Sequence, residues 1–208
     1  MAAGQSLGNP AVVGLAGFGA TTLLLQFHNL GLCNPGVVFC LALAFGGTAQ
    51  LLAGLLEFQT GNNFGFCAFS AYGAFWIALA FIFFLLEVET VKGQTFVHEF
   101  LKITPADVGW FMVVFTLFTF IMLIGSLAIH FAMFLTFLTL LVGFIGLDLV
   151  FLEGMKQVLT FTAIDLTVCA LLAWYMMAHV IFLQVFGRNV LPVGSPLVSQ
   201  PALSAKAA

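Results

Sequence analysis

From Val108 to Phe151 the chain runs for 44 residues with a single charged side chain, Asp148. As one helix that run would be ~66 Å long, against ~30 Å for the hydrocarbon core of a bilayer. It must therefore fold back, and Gly125-Ser126 is the natural place. The same reading, apolar runs separated by polar or Gly/Pro clusters, divides the chain into six helices. They are expected at Pro10 to Gln26, Pro35 to Leu56, Asn63 to Leu86, Ala106 to Leu127, His130 to Phe151 and Ala163 to Phe186.

A chain with 62% hydrophobic and 6% charged residues cannot cover a water-facing surface, so the expected class is an all-α polytopic membrane protein. Residues 1–9 form an N-terminal segment, 10–186 the transmembrane bundle and 187–208 a proline-containing tail, read as extended and partly disordered. Pro10 onward is taken as a span, because no basic stretch or small-residue cleavage pattern marks a signal peptide. Glu87 to Asp107, which holds six of the 13 charged side chains, is the longest loop. No run of Lys or Arg points to nucleic acid. Cys33, Cys40, Cys67 and Cys169 lack metal-ligand spacing. With neither a phosphate-binding loop nor a catalytic triad, no enzyme activity, metal or cofactor is expected.

Asn9-Pro10 is a helix start in which asparagine accepts a bond from a free backbone N–H and proline fixes the first turn. Asn62-Asn63 repeats this before the third helix, with Asn63 taken as its start. Besides capping, such ends carry partial positive charge and suit an anion. On the second helix, Gly46 or Gly47, Gln50, Gly54 and Glu57 fall three or four residues apart on one face. Gln50 there either bonds a neighbouring helix or lines a pore and offers its amide to a carboxylate. Glu57, near the helix end, is assigned to a water-reached vestibule and not to a proton relay. The first helix places Gly14, Phe18, Thr21 and Leu25 along one side, with Phe18 and Thr21 expected on the substrate pathway. Tyr72 sits beside Gly73 on the third. His28, Asp148 and Asp165 read as interfacial, and His179 as a cross-bundle hydrogen-bonding group. Thirteen of the 21 glycines lie at or before Gly73, so the first three helices should pack most closely.

The segment Asn9-Pro10-Ala11-Val12-Val13-Gly14-Leu15 resembles the NPAPLGL-type motif that opens the first helix of the acetate uptake (succinate-acetate permease) family. Val12 and Val13 replace the motif's second proline and its leucine. The stretches Gly46 to Gly54, Gly61 to Gly65, Ala68 to Trp76 and Leu191 to Gly194 match in order. The resemblance implies a pathway for acetate, and for other small monocarboxylates or succinate, within each protomer of a homohexamer whose termini are cytoplasmic. It also implies an apolar constriction made by Phe18, Tyr72 and an aliphatic residue of the fifth helix, for which Leu138 is named. Charge alone does not orient the chain: Arg188 and Lys206 face Lys92, Lys102 and Lys156 across the membrane. Two other classes stay open, a channel for small neutral solutes such as urea or ammonia, and a sensory or scaffold membrane protein without transport.

Overall fold

The computed structural model describes residues 8–89 and 101–199, with the side chain of Glu89 excepted. Its described residues form helices α1 (Ala11–Asn29), α2 (Pro35–Leu41), α3 (Gln50–Thr60), α4 (Asn63–Glu89), α5 (Pro105–Ser126), α6 (Phe131–Leu152) and α7 (Leu159–Phe186). A π-helical stretch, Ala42–Ala49, joins α2 to α3, so the second span is Pro35–Thr60. Six spans result, each long and apolar enough to cross a membrane. The chain turns back at Leu127–His130, next to the expected Gly125-Ser126.

Helix ends follow local chemistry. Proline opens α2 and α5. At α5 the Thr104 hydroxyl accepts from the Asp107 N–H (3.3 Å) while Asp107 Oδ2 accepts from the Thr104 N–H (2.8 Å), a reciprocal cap that starts the helix inside the segment expected to be loop. The α3 and α7 helices stop at Gly61 and Gly187, whose φ values of 76° and 65° lie in the left-handed region that glycine enters freely. Most spans run a few residues beyond their expected limits, because long apolar helices tolerate polar residues where they emerge from lipid.

The π stretch was not foreseen. It contains Gly46-Gly47, and the Thr48 hydroxyl donates to the Leu43 carbonyl five residues back (2.7 Å). Each residue added to a helix rotates everything after it by about 100°. The stretch is wedged between α1 and α4: a Cβ on Gly17 would stand 2.6 Å from the Phe45 carbonyl oxygen, and one on Gly47 2.6 Å from Ile77 Cγ1. The second span packs along α4 more extensively than any other two spans pack, but α1 meets α4 little and packs on α7 as extensively as on the second span, so the first three spans are not the tightest group that the glycines led one to expect.

Outward faces are apolar, as a bilayer requires. On α5, Trp110, Val114, Leu117, Ile121 and Ile124 form an exposed stripe. The tail lies partly against the bundle. From Leu191 to Val198 it is held down: the Leu191, Pro192 and Val193 carbonyls accept from His179 Nδ1 (2.6 Å), the Tyr175 hydroxyl (2.8 Å) and the Ala132 N–H (2.9 Å). The Leu197 and Val198 N–H groups donate to the Leu127 carbonyl (2.9 and 3.1 Å). Prolines cannot donate, but their segment supplies acceptors, and helix-start donors at α6 need them.

Candidate functional site: a divided cavity between the helices

The spans α1, α4 and α6 run in the same direction, and their first turns surround the mouth of one cavity. Its volume is ≈ 280 Å³, and its walls include Ala11 of α1, Asn62, Phe64 and Gly65 at the start of α4, and Met133 of α6. A much smaller space, ≈ 20 Å³, lies between Thr22, Gln26, Trp76, Phe144 and neighbouring side chains. That is room for about one water molecule. The two spaces share three lining residues, Phe18, Tyr72 and Leu140, which form the partition.

The partition is apolar by construction. Phe18 and Tyr72 meet with ring centroids 5.8 Å apart and planes inclined at 60°. The Tyr72 hydroxyl is occupied by Thr119 Oγ1 of α5 at 2.7 Å, which leaves the ring and not the oxygen to face the cavities. Phe137 supports Tyr72 at 6.3 Å and is itself met edge-on by Phe64 at 5.4 Å.

Two expectations for this region need correction. Leu138 lines neither cavity, and the aliphatic member is Leu140. On α6 the inward face runs Met133, Thr136 with its neighbour Phe137, Leu140, Phe144, Leu147, otherwise at steps of three and four, and position 138 falls off that face. Thr21 is fully buried but lines neither cavity, since its side chain fills the position a Cβ on Gly46 would take. Thr22, four residues after Phe18, takes its place at the smaller cavity.

Gln50 is the deepest polar group of the larger cavity. It is 0% exposed, and neither its Oε1 nor its Nε2 has a partner among the described residues. An amide used as glue between helices would be paired. Leaving both ends of such a group unmet costs on the order of 1–3 kcal/mol for each. Gln50 therefore presents a donor and an acceptor to whatever enters the cavity. In the smaller space, Thr22 Oγ1 and Trp76 Nε1 are likewise buried without partners.

At the mouth, Asn9 Oδ1 accepts from the Ala11 N–H (2.9 Å), the capping expected of it. At α4 the capping side chain is Asn62, whose Oδ1 accepts from the Gly65 N–H (3.0 Å); Asn63 is exposed and outside the cavity wall. Asparagine in the extended residue before a helix reaches the third N–H, whereas one already in the first turn points outward. A third start, α6, joins the mouth, with His130 Nδ1 accepting from the Met133 N–H at 3.1 Å. Burial and the nearby His179 hold the His130 imidazole below the ordinary histidine pKa. The cue in the sequence was a polar residue directly before an apolar run.

Glu57 does not reach water. It is 2% exposed, with Oε2 accepting from Asn62 Nδ2 (2.6 Å) and from the Thr60 hydroxyl (3.3 Å), and with Oε1 unpartnered among the described residues. Its helix is packed against α4 to the end, and this removes the expected vestibule position. Away from the cavities, His28 Nδ1 contacts the Cys33 carbonyl (3.1 Å) and Asp148 accepts from Thr116 of α5 (2.7 Å). His179 bonds the tail and not another span. No group of three or more metal-ligating side chains occurs among the described residues.

Known proteins share this architecture and sequence. The family model described as the GPR1/FUN34/yaaH family matches residues 2–186. The succinate-acetate/proton symporter SatP of Escherichia coli K12 is 33% identical over 189 residues, 90% of this chain and 96% of that protein. Acetate permease A of Emericella nidulans is 35% identical over 160 residues, 72% of this chain and 51% of the permease. Ammonia transport outward protein 2 of Saccharomyces cerevisiae is 29% identical over 174 residues, 80% of this chain and 59% of that protein. The solved structure of the bacterial acetate channel SatP superposes with a TM-score of 0.81 at 32% identity, covering 91% of this chain and all of that one. A six-span bundle with this partitioned cavity and these matches along nearly its whole length belongs to the GPR1/FUN34/yaaH family.

Proposed function

We propose that the protein carries acetate, and with it other small monocarboxylates or succinate, across the membrane through the divided cavity of each protomer. The observation that carries this reading is Gln50: a fully buried amide with both ends unmet, facing a space of ≈ 280 Å³ between three helix starts. Helix starts attract a carboxylate without a fixed cation, and a site without a tight ion pair lets its ligand leave. The names of the relatives, an acetate permease and a succinate-acetate/proton symporter, support the same substrate class. At pH 7 a carboxylic acid of pKa ~4 is almost entirely anionic, so passive diffusion of the acid is limited by its small neutral fraction.

The partition of Phe18, Tyr72 and Leu140 acts as the gate, opening by movement of rings that are packed but not hydrogen-bonded on their cavity side. The protomers assemble as homohexamers embedded in lipid, with both termini in the cytoplasm, on the family resemblance. The reading makes the chain a conduit and not an enzyme. Labelled acetate uptake into proteoliposomes, with and without an imposed pH gradient and an uncoupler, tests it. Uptake no faster than in protein-free vesicles overturns it.

A second reading, passage of ammonia or another small neutral solute, draws on the apolar partition and on the yeast relative named for ammonia transport. Ammonia flux into the same vesicles, unaffected by acetate, is the result that favours it.

A further inference from the structure

We propose that the segment Leu191–Val198 is a strap that holds the mouth of the larger cavity narrow, and that protonation of His130 releases it. The proposal concerns access to the cavity and does not depend on which solute passes through it.

The strap ties together two walls of that cavity. On α7 it is anchored where His179 Nδ1–H donates to the Leu191 carbonyl (2.6 Å) and the Tyr175 hydroxyl donates to the Pro192 carbonyl (2.8 Å). Tyr175 directly precedes Met176, which lines the cavity. On the other wall the Ala132 N–H donates to the Val193 carbonyl (2.9 Å), and the Leu197 and Val198 N–H groups donate to the Leu127 carbonyl (2.9 and 3.1 Å). These bonds bracket Ile129, and Met133 follows them; both residues line the cavity. The strap crosses the start of α6 at Gly194, whose φ is 79° and whose Cβ, were there one, would stand 2.7 Å from Phe131 Cβ. Only glycine permits so close a crossing in that backbone region.

Little else holds the strap. Leu191 and Val193 are half-buried, but Leu197 and Val198 are each 51% exposed. A segment fixed by a few hydrogen bonds and little apolar burial opens locally at small cost in free energy. When it leaves, the turn that carries Ile129 loses its ties to α7, and the mouth widens on that side.

His130 is the release. Its Nδ1 accepts from the Met133 N–H at 3.1 Å, which requires a bare lone pair; a proton on that nitrogen turns the acceptor into a donor and breaks the cap. Ala132, in the same first turn, carries the strap's bond to Val193, so fraying of the turn takes that bond with it. At this end of the bundle the titratable and charged groups are His179 and Tyr175 of α7, Arg188 just after it, and, across the mouth, Cys67 of α4 and Glu57, whose carboxylate is taken by Asn62 and Thr60. The remaining charged groups of the packed elements, Asp107 of α5, Asp148 of α6, Lys156 before α7 and Asp165 within it, lie toward the opposite end, and the strap itself has none. An imidazolium at position 130 therefore meets a neighbouring histidine and no free carboxylate among the described residues. It is disfavoured while the strap is docked, in keeping with the lowered His130 pKa, and acidification shifts the balance toward release.

Hydrogen exchange of the purified full-length protein, expressed as protection factors so that the intrinsic pH dependence cancels, reads the release. From about pH 8 to about pH 5, across the ordinary histidine value of ~6.5, the wild type should lose protection together at Ala132, Met133, Leu197 and Val198. His130→Asn, which keeps a capping oxygen but does not titrate, should hold all four unchanged. Strap amides that stay protected while Met133 opens, or equal losses in the variant, overturn the proposal. If His130→Asn does not fold, His130→Ser makes the same comparison. Access to the mouth is read by the reaction of Ile129→Cys with a membrane-impermeant thiol reagent at neutral pH, followed at that residue by mass spectrometry because four native cysteines are present. Adding Gly194→Ala or Tyr175→Phe should raise the rate about two- to tenfold, the effect of losing one hydrogen bond from the docked strap. An unchanged rate with both additions overturns the strap's hold on the mouth. Neither measurement uses acetate, so a protein that carries none would remove the conduit reading and leave the strap to be decided on these results.

Discussion

The hydroxyl of Tyr72 lies 2.7 Å from Thr119 Oγ1, a contact between α4 and α5 that turns the only polar atom of the partition away from the path. The partition is thereby apolar on its cavity sides although one member is a tyrosine, and its ring is held at both ends. Replacing Thr119 with Val frees the hydroxyl to face the cavities and gives the ring a second orientation. The expected outcome is a change in acetate flux with little loss of folded protein, measured as uptake per unit of purified protein.

Truncation of the ring should separate its members from their neighbours. Phe18→Ala, Tyr72→Ala and Leu140→Ala each widen the passage and should raise flux of the bulkier acids relative to acetate. Leu138→Ala, which borders neither cavity, should leave that ratio unchanged. A competition series of mono- and dicarboxylates against labelled acetate makes the comparison; an effect of Leu138→Ala equal to that of Leu140→Ala removes the partition as drawn.

Gln50→Leu trades two unmet polar ends for an apolar side chain of similar size. Because the amide has no partner among the described residues, stability should hold or improve, whereas acetate affinity should fall by an amount typical of one hydrogen bond, about 0.5–1.5 kcal/mol. Thermal unfolding and equilibrium binding, measured on the same preparation, distinguish this from a structural glutamine, for which both quantities would fall together.

The helix starts predict an ordering among asparagines. Asn9→Ala and Asn62→Ala loosen the helix starts at the mouth and should weaken acetate binding, each by about 0.3–1 kcal/mol, while Asn63→Ala, exposed and outside the wall, should not. Neutralising Lys102 and Lys156, together with Lys92, which lies outside the described residues, should matter little. Loss of affinity in the lysine variant alone points to a basic vestibule instead.

His130 gives a pH dependence whose sign is fixed by its surroundings. Burial, followed by the proximity of His179, lowers its pKa in the folded state, so protonation favours opening of the cap. The stabilising share of neutral His130 is present above the ordinary histidine value of ~6.5 and is lost as pH falls through the lower folded value. Hydrogen exchange at Met133 and Ala132 should accelerate on acidification. His130→Asn, which keeps a capping acceptor without a titration, should abolish the acceleration.

Six spans, their order, and the starts at Pro10, Pro35 and the Asn62-Asn63 pair were legible from the sequence. Apolar length against bilayer thickness and the backbone demands of proline are local quantities. The inward face was legible where a helix carries polar residues, and so Gln50 stood out. Along α4, α5 and α6 it was not, since those helices are apolar all round and nothing in the chain separates a lipid-facing leucine from a path-facing one. Leu140 instead of Leu138 therefore had to come from the placing of α6 between α5 and α7, which turns its Leu140 face toward the cavity. Thr22 instead of Thr21 was decided by Gly46, whose missing side chain takes in Thr21, and Asn62 instead of Asn63 by which residue stands just before the first turn of α4. The π stretch rotated the second span in a way its composition does not announce. Glu57 is the sharpest case: a carboxylate near a helix end reads as water-facing, and only the neighbouring helix, pressed against it at Asn62 and Gly65, buries it beside the cavity.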